Sequence, residues 1–141
     1  QISTGVGLPD SGTAFISVND RDKDQAVGIA RGLSELGFDL VATRGTRDFL
    51  VEKGVDCAIV AKVNEGHPDI AELIHDGKVH LVLNTPLGKK SHYDEEAIRR
   101  AATLADVVCI TTLSGGRAAV DGIHAQREGR WTVDSLQELT S

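Results

Sequence analysis

The sequence predicts a three-layer α/β/α domain, a five-stranded parallel sheet with helices on both faces. Short, nearly continuous apolar runs alternate along the chain with segments of helical period. Apolar strands of that kind are those buried on both sides of a parallel sheet. The length, 141 residues, suits one compact domain. Hydrophobic residues at 40% and charged residues at 26% fit a globular chain better than a disordered or membrane-embedded one.

The elements follow in order. Gln1 to Gly12 is rich in Gly, Ser and Pro and reads as a linker from a preceding domain, with the folded unit over residues 13–141. Thr13 to Val18 is the first strand. Lys23 to Leu36 places Ala26, Ile29, Ala30, Leu33 and Leu36 on one helical face. Asp22 with Gln25 resembles a capping box, and Gly37 stands where that helix should stop. Leu40 to Ala42 is the second strand, Thr46 to Lys53 a short helix closed by Gly54, and Cys57 to Ala61 the third strand. Pro68, preset in φ for a first helical turn, opens a helix through His75 that stops at Gly77. Val79 to Leu83 is the fourth strand, with His80 expected on the polar side of a sheet edge. Asp94 then caps a helix over Glu95 to Ala105. Val107 to Ile110 is the fifth strand, followed by a helix over Gly116 to Arg127 and a last short helical turn within Thr132 to Leu139.

Charge and composition exclude several function classes. Fifteen Lys and Arg against 21 Asp and Glu give a net charge of −6, which argues against the broad basic surface of a nucleic-acid binder. It leaves room for a small basic pocket. No apolar run approaches the roughly 20 residues that span a bilayer, and the start lacks a secretory pattern, so a cytoplasmic protein is expected. The chain begins at Gln1 and contains no Met, as expected of a piece of a longer protein. Cys57 and Cys109 each lie inside an apolar run and are expected as buried, reduced thiols.

In open parallel sheets, ligands bind beyond the carboxyl ends of the strands, where the strand order reverses. The residues that follow the strands here share a chemistry. After the first strand comes Ser17-Val18-Asn19-Asp20-Arg21-Asp22-Lys23, with a lysine in the first turn of a helix, where the helix dipole disfavours a cation. Lys23 is therefore either a surface lysine paired with Asp20 or a cation awaiting an anion. After the second strand comes Thr43-Arg44-Gly45-Thr46, two hydroxyls around a glycine at a helix start, a setting suited to phosphate. Lys62 follows the third strand and Asn84-Thr85 the fourth. Together they point to a pocket for a small phosphate ligand. Lys89-Lys90 adds rim charge.

Other chemistries find no support in the motifs. Neither G-x-x-x-x-G-K-[ST] nor G-x-G-x-x-G is present, and the five histidines and two cysteines show no zinc spacing. Ser114-Gly115-Gly116 reads as a tight helix entry rather than a nucleophile elbow.

Phe15-Ile16-Ser17-Val18 with Asp22-Lys23, Leu36-Gly37-Phe38 running into Ala42-Thr43-Arg44-Gly45-Thr46, Lys62-Val63-Asn64-Glu65-Gly66-His67-Pro68, and Asn84-Thr85-Pro86 resemble the methylglyoxal-synthase-like domain. The likeness is narrower still to the form found at the C-terminus of the carbamoyl-phosphate synthase large chain, and it covers Gly12 to Leu139. The resemblance implies strand order 3-2-1-4-5 and a regulatory domain without chemistry or metal of its own. It implies effector nucleotides, UMP and IMP, held by their phosphate at Lys23, Thr43, Gly45, Thr46 and Lys62, with Ser17 and Asn84 nearby. Thr111 would face a neighbouring domain where ornithine binds in some members. The implied parent is a ligase of arginine and pyrimidine biosynthesis with two ATP-grasp halves, ATP with Mg or Mn, and a glutaminase small chain. Pro86 is a departure: where some relatives carry a hydroxyl that helps hold the nucleotide, it offers neither a side-chain donor nor an N–H.

The competing enzyme reading is methylglyoxal synthase itself, acting on dihydroxyacetone phosphate. That chemistry needs a carboxylate base after the third strand, where this chain reads Glu65-Gly66-His67-Pro68-Asp69 with His67 in the base's place. Asp69, on the following turn, is expected to point elsewhere.

Overall fold

The computed structural model describes residues 9, 12–61, 66, 69–85 and 92–140, and of 92–95 and 127–140 the backbone alone. The expected linker, apart from Pro9 and Gly12, and the expectations for Lys62, His67, Pro68, Pro86, Lys89 and Lys90 lie outside the described residues.

Five strands form one parallel sheet in the order β3-β2-β1-β4-β5. They are β1 (Thr13–Ser17), β2 (Asp39–Ala42), β3 (Ala58–Ile59), β4 (Leu81–Asn84) and β5 (Val108–Ile110), interleaved with α1 (Lys23–Glu35), α2 (Arg44–Glu52), α3 (Ile70–His75), α4 (His92–Leu104) and α5 (Leu113–Thr140). The period-two geometry of a strand divides the core in two. Ala14 and Ile16 of β1 and Leu81 and Leu83 of β4 pack with Ile29 and Leu33 of α1, Leu50 of α2 and Ile123 of α5. Phe15 and Val82 point the other way, onto Ile70 and Ile74 of α3 and Ile98 and Ala102 of α4. Three layers result, as expected.

The helix ends depart from the expected ones in instructive ways. Asp22 makes no side-chain cap; the cap falls three residues earlier, where the Asn19 side chain accepts from the Asp22 amide at the start of a 3-10 turn over Asp20–Asp22. The chain needs that extra turn because Val18 is still buried against the core and α1 begins only at Lys23. Helix α2 starts two residues before the expected Thr46, with Thr43 as its N-cap. Helix α3 is opened by a capping box in which the Asp69 side chain accepts from Glu72 N and Glu72 reaches back to Asp69 N, both 2.9 Å. Helix α4 starts at His92, so Asp94 lies within it rather than at its cap. The last helix is continuous from Leu113 to Thr140, because no proline interrupts it and isolated glycines cost a helix only about 1 kcal/mol each. Its Ser114-Gly115-Gly116 segment is a helix entry, with Gly115 N donating to Thr112 Oγ1 at 3.0 Å.

Four helices stop in the same way. Gly37, Gly54, Gly77 and Asp106 have positive φ, and each following amide (Phe38, Val55, Lys78, Val107) donates to the carbonyl five residues back. Phe38 and Val55 then tuck into the core, which turns each stop into the start of the next buried run.

Two strand expectations change. Strand β3 shrinks to two exposed residues, because its only neighbour is β2; Ala61 is joined to Asp69 by an isolated bridge beyond it. His80 is not at an edge. It precedes β4, an interior strand, and its Nδ1 accepts from the Thr13 amide at 3.0 Å while its own amide donates to Thr13 O. Cys57 and Cys109 are free and half-buried rather than fully buried, at opposite edges of the sheet. Burial pushes the Cys57 thiol up to about 11, with Arg47 pulling weakly the other way, and pushes Cys109 up for the same reason.

Two measurements test these points. A methyl added at Gly37 would find open space but φ is +95, whereas Gly28 has open space in the middle of α1, and a methyl on Gly32 would meet Val120 Cγ1 at 2.9 Å. Denaturant melts should show Gly37→Ala destabilising by about 1–2 kcal/mol, Gly28→Ala stabilising by about 0.5–1 kcal/mol, and Gly32→Ala destabilising. In a Cys109→Ser variant at pH 8, iodoacetamide should label Cys57 about 100-fold more slowly than an ordinary thiol, since roughly 0.1% rather than 10% is thiolate. The sign follows from the raised value: the folded state keeps the proton, so this contribution to stability is present below the unfolded value near 9.0 and is lost as pH climbs through about 11.

Candidate functional site

The strand order reverses between β1 and β4, and their carboxyl ends meet in register, with Ser17 opposite Asn84. The chain leaves β1 toward β2 on one side and approaches β4 from the other, so no crossover covers this point. In open parallel sheets a crevice lies at such a point, and the residues around it here are polar. Among the described residues six polar side chains are buried, and five of them (Ser17, Thr43, Thr46, Asn84 and Thr85) stand at this one end of the sheet. Buried polar groups need hydrogen-bond partners, and these five gather their partners at one end of the sheet.

Helix α2 aims its N-terminus into the crevice. Thr43 is extended at φ −71 and ψ 164, the geometry of a good N-cap, yet its hydroxyl makes no bond to the helix. The first intrahelical bond is Arg47 N to Thr43 O at 2.8 Å. The amides of Arg44, Gly45 and Thr46 therefore have no carbonyl within the helix and no side-chain cap. Thr46 Oγ1 accepts from Val18 N at 3.4 Å, which leaves its proton available to an acceptor.

Lys23 enters from the other wall, at the first position of α1. Its side chain is 19% exposed, and its Nζ lies 3.5 Å from where a methyl on Gly45 would stand. The ammonium is thus a neighbour of Gly45 at the helix start. The ammonium meets Asp20 Oδ1 at 2.6 Å, so of the two alternatives for Lys23 the pairing is the one present. The same contact holds the Asp20 carboxyl below its ordinary range, by hydrogen bond first and charge second.

Thr85 and Asn19 carry the frame, a role that the sequence did not assign to them. Thr85 N donates to Ser17 O at 3.0 Å, and its hydroxyl accepts from Asn19 N at 3.1 Å. Asn19 in turn caps the 3-10 turn that delivers Lys23. The sequence signal for Asn19 was its place three residues before Asp22, the spacing of a cap. Thr85 carried no signal beyond following a strand.

The structure brings together Ser17, Lys23, Thr43, Gly45, Thr46 and Asn84 as expected neighbours. Lys62 lies outside the described residues. Thr111 is exposed, one strand beyond Asn84 at the end of β5, and does not join the crevice. A separate cleft of about 750 Å³, lined by Asp39, Arg47, Asp56 and Cys57 among others, shares no residue with it. Among the described residues, no group of three His, Cys, Asp or Glu could hold a metal, and no helix is long and apolar enough to cross a membrane.

The family model of the MGS-like domain matches residues 25–111, more than half of the chain. The chain belongs to the MGS-like domain family. Its relatives include the carbamoyl phosphate synthase large chain, C-terminal section, of Methanopyrus kandleri, 49% identical over 99% of this chain and 26% of that protein. The carbamoyl phosphate synthase large chain of Acidobacterium capsulatum is 46% identical over 99% of this chain and 13% of its own length. The MGS-like chain thus spans about a quarter or less of these curated relatives. Among solved structures, a methylglyoxal synthase from Elizabethkingia anophelis superposes with a TM-score of 0.65 at 16% identity, covering 80% of this chain and 79% of that one. That likeness is one of fold. It agrees with the three-layer MGS-like architecture and the strand order 3-2-1-4-5.

Proposed function

We propose that this domain is the effector-binding part of a carbamoyl-phosphate synthase large chain, and that it holds a nucleoside monophosphate, UMP or IMP, by its phosphate. The observation that carries the reading is the uncapped start of α2, with Thr43 withholding its hydroxyl from the helix while Lys23 lies beside Gly45. Free helix-start amides, two hydroxyls and an ammonium are the complement of a phosphate dianion. Lys62, Ser17 and Asn84 complete the set in this reading. The names of the relatives support the parentage. The parent would then be an ATP-dependent ligase of arginine and pyrimidine biosynthesis, using ATP with Mg or Mn. This domain would work in the cytoplasm beside two ATP-grasp halves and a glutaminase small chain, with Thr111 near ornithine. The effector would bias those distant sites through differential binding, a coupling between two sites.

The lyase alternative would need a carboxylate base after the third strand. Asp69, the carboxylate nearest the expected position among the described residues, is buried and engaged in the capping box of α3. In the regulatory reading the cradle holds a phosphate and abstracts no proton. Incubation with dihydroxyacetone phosphate should yield no methylglyoxal above the uncatalysed background; robust turnover by purified protein would reverse the assignment.

Calorimetric titration tests the binding itself. Charge-assisted hydrogen bonds contribute about 1.5–3 kcal/mol, so Lys23→Ala should weaken UMP or IMP binding by about 10- to 150-fold. Thr46→Ala should cost less, since the helix amides remain. Equal affinity for uridine and UMP, or indifference to Lys23→Ala, would show that the crevice is not a phosphate site.

A further inference from the structure

The Lys23–Asp20 pair stands inside the crevice that the phosphate reading assigns to a ligand. The two partners are unlike. Lys23 is anchored, 19% exposed, whereas the Asp20 side chain is 95% exposed and hangs from the 3-10 turn into water. The backbone beneath Asp20 is fixed: Asn19 N is bound to Thr85 Oγ1, and Asp22 N to the Asn19 side chain at 2.9 Å. A carboxylate held on such a frame is presented to the ammonium at a high effective concentration. We propose that Asp20 is a tethered stand-in for the ligand phosphate: it occupies Lys23 in the ligand-free domain, an incoming phosphate displaces it, and it thereby sets the concentration at which the site fills.

The inference rests on the phosphate reading of the crevice and adds its regulation. Displacement is easy for Asp20, because an exposed carboxylate regains full hydration when it lets go. It is favourable for a phosphate monoester, which brings two charges and three acceptor oxygens and meets the α2 amides as well as the ammonium. Occupancy of Lys23 by Asp20 leaves only a fraction of molecules ready to bind, and the apparent affinity falls by that fraction. Exposed ion pairs are weak, so the reduction is modest, about 2- to 5-fold. The depressed titration of Asp20 in the free domain agrees with the pairing.

UMP is the probe, at pH 8, with Asp20→Asn as the variant; the exposed position spares the fold. Calorimetry should show Asp20→Asn binding UMP about 2- to 5-fold more tightly than the unaltered chain. On a Lys23→Ala background the same substitution should have no effect. The Asp20 carboxyl, followed by NMR, should return toward its ordinary titration range when UMP saturates the site, a change that a merely structural Asp20 would not show. Should the unaltered chain bind UMP while Asp20→Asn binds equally or more weakly, Asp20 orients Lys23 and does not compete for it, and the proposal is overturned. Absence of UMP binding by both proteins would instead overturn the phosphate reading itself, and this inference with it.

Discussion

Everything at the site depends on the reversal of strand order between β1 and β4. Two parallel neighbours whose chains arrive from opposite sides share no crossover, so their carboxyl ends cannot be roofed by a connecting loop. The sheet must leave a gap at Ser17 and Asn84, and the elements beside it face a polar, partly dry space. Helix α2 points its amides there because it follows the neighbouring strand β2 directly, with only Thr43 between them. The crevice is thus a product of topology first and of residue choice second.

Residue choice then decides what the gap can hold. The net charge of the whole chain is −6, yet the ends of helices α1 and α2 bring positive potential to one spot. Lys23 at the first turn of α1 is unfavourable beside the helix dipole, and the fold compensates with Asp20 rather than by moving the lysine. That solution is temporary in form: a solvent-exposed carboxylate balances an anchored ammonium. Gly45 stands beside it, a methyl there falling 3.5 Å from the ammonium, in ordinary contact.

Much of this was legible in the residues because the same physics writes both. Apolar runs of two-sided strands marked five strands and their order along the chain, and Gly37, Gly54 and Gly77 marked helix ends because a positive φ closes them. Asp106 does the same work with a non-glycine and left no such mark. The spatial order of the strands came with the family resemblance and not from any pattern, since long-range pairing has no local signature. Helix starts were misplaced by a few residues: Asn19 rather than Asp22 supplies the cap before α1, and α2 starts at Arg44 rather than Thr46. Which one caps depends on where the core lets the chain turn. Thr85 was opaque for the same reason, its role being set by contact with Asn19, 66 residues away in sequence.

The two strands that flank the crevice are pinned at both ends. At the amino ends, Thr13 and His80 exchange hydrogen bonds through the His80 ring and the backbone, and Gly12 is packed so closely under that ring that a methyl there would collide with Nδ1. At the carboxyl ends, Thr85 N holds Ser17 O. Strands fixed in this way cannot slide relative to each other without breaking buried hydrogen bonds, so the floor of the crevice is rigid. At the rim the Asp20 side chain is exposed, carried on a 3-10 turn that is itself tied through Asn19 to Thr85. The crevice thus has a floor of fixed strands and an exposed ion pair at its rim. The turn leads directly into α1, which packs closely on α5 where Gly32 faces Val120.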